Sequence, residues 1–166
     1  MEYDVRTKRS GKGRQDDGGD PEKATVEDLD AVIERCQQAM REFGKGNPEH
    51  MKALYSHRED VTINTAIDPP ARGWDEVALM MERSASNLSE GEIDAFETVT
   101  RVVTPELAYV VWVEHHRGKI GESDEIVDFP LRVTIILRLE DDTWKIVHRH
   151  TDTVITPRPH ESMIKE

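Results

Sequence analysis

Two histidines, His148 and His150, stand two residues apart in the run WKIVHRHTD at 144–152. Side chains on a β-strand alternate between faces, so this spacing points both rings the same way. Imidazoles placed like this can ligate a metal, move a proton or hydrogen-bond across a sheet. A metal needs a third ligand, for which Asp152, His115 and His116 are at hand. There is no HExxH and no Cys ligand, so no metal and no cofactor are expected. His150 is the candidate for proton transfer or a substrate hydrogen bond, His148 for a ligand contact, and Arg149 between them reads as a surface charge on the opposite face.

A second cluster of candidates lies upstream. In ELAYVVWVEHH, one face of the strand carries Tyr109, Val111, Val113 and His115; the other carries Val110, Trp112, Glu114 and His116. Glu114 follows an apolar run. A carboxylate desolvated in an apolar cavity has a raised pKa and becomes useful as a general base or acid. Arg132 and Thr134 share one face of LRVTIILRL, and a guanidinium there can hold a carboxylate, an enolate or a carbonyl oxygen through its fork of N–H donors. It can equally serve only to neutralise Glu114. The catalytic candidates are therefore Glu114, Arg132 and His150. The ligand-binding candidates are Trp112, Thr134, His148 and Trp144, although core packing is the commoner use of the two tryptophans.

Three helices and a run of strands must position these residues. Val26, Leu29, Ile33, Cys36, Met40 and Phe43 recur at three- and four-residue steps, the mark of one amphipathic helix face. Thr25 and Asp28 resemble a capping box at its start, and Gly44 and Gly46 end it. Asn47 and Pro48 open a short helix that buries Met51, Leu54 and Tyr55. DVTINTAI reads as a strand closed by the DPPARG turn, and Trp74, Val77, Ala78, Met81, Ala85 and Leu88 line one side of a third helix. Four long β-rich segments follow. Helices first and successive strands after them predict an α+β domain whose antiparallel meander curls around the helices. Both faces of the central strand are largely apolar, which predicts a homodimer covering the face the helices leave open.

The last hairpin decides which residues share a face. A two-residue loop at Asp141–Asp142 places Trp144, Ile146 and both histidines beside Leu131, Val133, Ile135, Leu137 and Leu139. A three-residue loop places them beside Arg132 and Thr134. Neither loop carries the glycine that tight hairpins favour, so both remain open.

Composition bounds the partners. The chain has 166 residues and a formal net charge of -12, an acidic surface that repels nucleic acid and anionic lipid. Cys36 is the single cysteine, so no intrachain disulfide forms and a reducing, cytoplasmic compartment is expected. No apolar run reaches the ~20 residues of a membrane span, and the start of the chain lacks the apolar centre of a secretion signal. Residues 1–23 read as a solvated, disordered tail, 24–155 as the domain, and 156–166 as a short C-terminal tail.

The strings GNPEHMKALYSHREDVTI, RGWDEV, LAYVVWVE and LRVTIILRLEDDTWKIVHRHTD, in this order, resemble the SnoaL-like branch of the nuclear transport factor 2-like superfamily, which includes ketosteroid isomerases. The resemblance spans about residues 26–154. It implies a cone-shaped barrel of curved antiparallel sheet around three N-terminal helices, an apolar pocket at the open end, and dimerisation through the outer sheet surface. The isomerases' catalytic aspartate falls at about Thr65 here, with Asp68 further on in the turn, and the first helix offers no tyrosine on its apolar face. True steroid isomerase chemistry is therefore not expected. The resemblance implies instead a cofactor-free isomerase, cyclase or dehydratase working by proton transfer next to a carbonyl, on a small apolar or carbonyl-containing molecule. The rival expectation is a non-catalytic ligand-binding or assembly module of the same fold.

Overall fold

A computed structural model describes residues 21–153 and 156–159; for 21–28 it describes the backbone. The tail over 1–20, the side chains of the Thr25 capping box and most of the C-terminal tail lie outside the described residues. Helix α1 runs Pro21–Gly44, starting a few residues before the expected boundary. It buries Leu29, Val32, Cys36, Ala39 and Met40 on one face, with Ile33 and Phe43 partly covered. Helix α2 spans Glu49–Leu54, and Asn47 Oδ1 accepts a hydrogen bond from the Glu49 N–H at 3.1 Å, satisfying a donor that the first turn leaves orphaned. Helix α3, Trp74–Ser86, turns Val77, Met80, Met81 and Ala85 inward.

The strands are β1 (Thr62–Asn64), β2 (Ala71–Arg72), β3 (Leu88–Val103), β4 (Leu107–Ile120), β5 (Val127–Glu140) and β6 (Thr143–Asp152). They form one sheet in the order β2-β1-β6-β5-β4-β3. The expected meander is present as β3 to β6, every neighbour antiparallel. Two corrections follow from the ends of this order. The sheet is mixed, because β1 runs parallel to β6. It is also open, with β2 and β3 as edges, so the arrangement is a curved sheet and not a closed barrel. Three register shifts in the β3–β4 ladder put extra residues into β3, and such bulges bend a strand and increase its twist.

That curl wraps the sheet around α1, which packs across β3 and also touches β6. The approach is close enough to demand glycine. A Cβ on Gly91 would collide with the Gly44 carbonyl of α1, and one on Gly118 would lie 2.9 Å from the Gly91 Cα. The core between helices and sheet holds Val110, Trp112, Val133, Ile135, Leu137, Trp144 and Ile146 from the strands. Among the described residues, no helix is long and apolar enough to cross a membrane.

Candidate active site at the cavity floor

The hairpin between β5 and β6 settles which side chains meet. Its loop has two residues, with Glu140 paired to Thr143. Asp141 and Asp142 both adopt positive φ, 48° and 60°, the conformation that the tightest turns require and that aspartate tolerates better than most residues. Trp144 and Ile146 accordingly face inward opposite Leu139 and Leu137. The ladder then slips. Leu137 pairs with Ile146 but Ile136 pairs with His148, so Val147 is the extra residue of a bulge. A one-residue slip exchanges the faces of everything beyond it. Arg149 and Thr151 turn into the core, and His148 and His150 turn out.

The inward turn of Arg149 meets Glu114. The carboxylate of Glu114 is fully buried and accepts hydrogen bonds from three side chains. Trp112 Nε1 donates to Oε1 at 2.9 Å. Arg149 Nη2 lies 2.9 Å from Oε1 and 2.8 Å from Oε2, and His116 Nε2 lies 2.8 Å from Oε2. Alternation on β4 brings Trp112, Glu114 and His116 to one face. The slip on β6 brings the guanidinium across from two strands away, since β5 separates β4 from β6.

Burial by itself would push the Glu114 carboxyl up. The Arg149 guanidinium and the His116 and Trp112 hydrogen bonds outweigh it and hold the group down at about 2. An ionised carboxylate only accepts hydrogen bonds, so His116 Nε2 carries a proton, and Nδ1 is left as the ring atom that can give or take one. The His116 ring is also stacked on Phe129, with centroids 5.1 Å apart and planes inclined by 23°.

Above this cluster lies a cavity of about 260 Å³. Met40, Met51, Ile63, Met81, Phe129 and Leu131 give it a mainly apolar wall, and Arg149, His116, Tyr55, Thr65 and Thr151 bring polar groups to it. Tyr55 is set by the exit from α2, where the backbone turns extended and bridges in parallel to Ile146 of β6. Burial raises its phenol well above the ordinary range. Burial likewise pushes the Cys36 thiol beneath the cluster up to about 12, which leaves it a protonated, unreactive core group.

The residues singled out in the sequence divide by face. Glu114 and Trp112 are in the buried cluster, Trp112 as a donor to Glu114. Arg132 does not meet Glu114. It lies opposite Val113 on the outer face, more than half exposed, and its Nη2 pairs with Asp152 at 2.6 Å. His150 is exposed on that same outer face opposite Thr134, so neither Arg132 nor His150 stands with Glu114. His148 bridges the sheet instead, its Nδ1 2.8 Å from Thr62 Oγ1 on β1. Burial and the neighbouring His150 lower its pKa. Of the four ligand-binding candidates Trp112, Thr134, His148 and Trp144, none lines the cavity. The residues that sequence reasoning missed are Arg149 and Tyr55, and His116, considered there only as a metal ligand, proves to be a partner of Glu114. The first was hidden by the Val147 bulge, and the only sequence signal for it is the unmet charge of Glu114.

The comparisons agree with this architecture. A family model described as a SnoaL-like domain matches residues 30–155. A nuclear transport factor 2-like superfamily protein from Salmonella enterica is 15% identical, with a TM-score of 0.70 over 84% of this chain and 98% of that one. A ketosteroid isomerase-like protein from Erwinia carotovora atroseptica is 18% identical, with a TM-score of 0.65 over 80% and 97%. A nuclear transport factor 2-like protein of unknown function from Pseudomonas putida is 21% identical, with a TM-score of 0.63 over 87% and 94%. No curated protein matches the chain. At these identities the solved structures establish the fold, and the family model spans most of the domain: the chain belongs to the SnoaL-like domain family of the nuclear transport factor 2-like superfamily.

Proposed function

We propose that the cavity holds a small, mainly apolar molecule carrying a carbonyl group and promotes proton transfer beside that carbonyl without a cofactor. The observation that carries this reading is the Glu114-centred cluster. One buried carboxylate orients both a titratable ring, His116, and a guanidinium, Arg149, and both reach the cavity wall. A base held by a third group is the ordinary arrangement for general base catalysis. Glu114 thus acts as the orienting group, His116 as the proton acceptor and Arg149 as the partner of the developing oxyanion. A volume of about 260 Å³ lies at the small end of ligand pockets, suited to one or two rings.

The test is α-proton exchange of 2-tetralone in deuterated buffer, followed by NMR. The wild-type protein accelerates exchange, and His116→Gln, which keeps a donor toward Glu114, slows it about a hundred-fold or more. Exchange no faster than in buffer, or unaffected by the substitution, overturns the reading. One observation favours a second reading as a binding module without catalysis. The Glu114 carboxylate is already matched by Arg149, as in a purely structural buried ion pair. That reading expects ketone binding with no exchange.

We also infer a homodimer through the outer sheet face, where Val102 and Tyr109 pair as exposed neighbours and Val111, Val113 and Ile136 are only partly covered within one chain. Sedimentation of wild type as a dimer and of Tyr109→Glu as a monomer supports this. A monomeric wild type contradicts it.

A further inference from the structure

Two buried polar atoms beside the cavity have no hydrogen-bond partner among the described residues: the Tyr55 hydroxyl and Arg149 Nε. Both side chains contribute to the cavity wall, and each is more than nine-tenths buried. A buried donor left unpaired costs free energy, so native interiors rarely keep two of them close to one cavity without use. The phenol hydroxyl donates or accepts, and the guanidinium Nε only donates. Together they call for an acceptor supplied from the cavity.

The charge of that acceptor follows from the surrounding groups. Among the described residues, Arg149 is the one permanently charged side chain lining the cavity, and Glu114 beneath it already supplies the opposite charge through both carboxylate oxygens. An anionic ligand would lose its hydration and meet a floor with no net positive charge, with the Glu114 carboxylate directly behind the guanidinium. Desolvation of an ion without a free counter-charge is strongly unfavourable. A neutral carbonyl oxygen loses far less on entry and gains the donors that now lack partners.

We propose that the cavity is selective for neutral carbonyl compounds over carboxylates of the same size, and that Tyr55 is a specificity-determining residue which donates its hydroxyl hydrogen to the ligand's carbonyl oxygen. This rests on the carbonyl-ligand reading above and adds to it the charge state of the ligand and a residue that reading did not use.

The experiment compares binding of 2-tetralone, 2-naphthoate and tetralin near neutral pH by calorimetry or NMR titration, on wild-type protein and on Tyr55→Phe. Wild type binds the ketone about ten-fold or more tightly than the carboxylate, and Tyr55→Phe weakens the ketone about ten-fold while leaving the hydrocarbon unchanged. Carboxylate binding as tight as the ketone's overturns the charge argument. Equal loss of ketone and tetralin in Tyr55→Phe assigns the residue a packing role and overturns its part in recognition. No ketone binding at millimolar concentration overturns the whole proposal. Selective ketone binding with no proton exchange sinks only the catalytic reading, and exchange without selectivity sinks only this one.

Discussion

The two faces of the β4–β5–β6 sheet each carry an arginine paired with a carboxylate, and the two pairs have opposite consequences. On the inner face Arg149 meets Glu114 at 2.8 Å with both groups buried. On the outer face Arg132 meets Asp152 at 2.6 Å with the guanidinium about half in water. Distance alone would rank the outer pair first. Burial reverses the order, because water screens the outer charges, whereas the inner ones rely on each other and on Trp112, His116 and the Met40 sulfur. A buried ion pair need not stabilise more than apolar residues of the same shape would, but breaking one side of it strands a charge. The same seclusion makes the inner pair useful: it fixes a ring and a guanidinium at a cavity wall.

The strongest way to break this contrast is Arg149→Met, which leaves Glu114 buried without its main partner. A loss of about 3–5 kcal/mol in denaturant unfolding is expected, and adding Glu114→Gln should recover part of it. Wild-type stability in the single variant would mean that the inner pair is as dispensable as the outer one.

Acid sharpens the contrast next. The Glu114 carboxyl is held at about 2 in the fold, against 4.5 for an unperturbed group. A depressed carboxylate stabilises in full above its unfolded value and loses that contribution as pH falls toward its folded one. Wild type should therefore lose stability more steeply than Glu114→Gln between about pH 4.5 and 2, measured by urea midpoints across that range. Parallel curves would contradict the assignment.

On the outer face, Arg132→Ala should cost no more than about 1 kcal/mol and leave ketone binding unchanged. The smallest effect belongs to His148. Its pKa is lowered by partial burial and by His150, so the fold favours the neutral ring. That contribution is present above pH 6.5, the ordinary value, and is lost as pH falls below it. His148→Asn should flatten a shallow decline in melting temperature between neutral pH and pH 5, and an unchanged decline would place its origin elsewhere.

Much of this architecture is legible in the residues. The three- and four-residue steps through Leu29, Cys36 and Met40 report the buried face of α1, because helical geometry leaves no other way to cover them together. Alternation in β4 separates Trp112, Glu114 and His116 from Tyr109, Val111 and Val113, and the lone carboxylate in that apolar strand marks the site. Its partners are harder to read. Arg149 reaches Glu114 only because Val147 slips the β5–β6 ladder by one, and a bulge between two apolar residues leaves no local trace in composition. Without that slip, Arg149 would be the surface charge its position in the alternation suggests and the two histidines would line the core. Tyr55 is hidden for another reason: an aromatic residue at a helix exit looks the same whether its hydroxyl is used or only its ring is packed.

The site's chemistry depends on Glu114 holding His116 through Nε2. Long-range proton–nitrogen NMR of the imidazoles tests this most directly. His116 should be locked as the Nε2–H form in wild type and lose that preference in Glu114→Leu, while exposed His150 averages between forms in both proteins. A His116 ring protonated on Nδ1 alone, or averaging like His150, would contradict it.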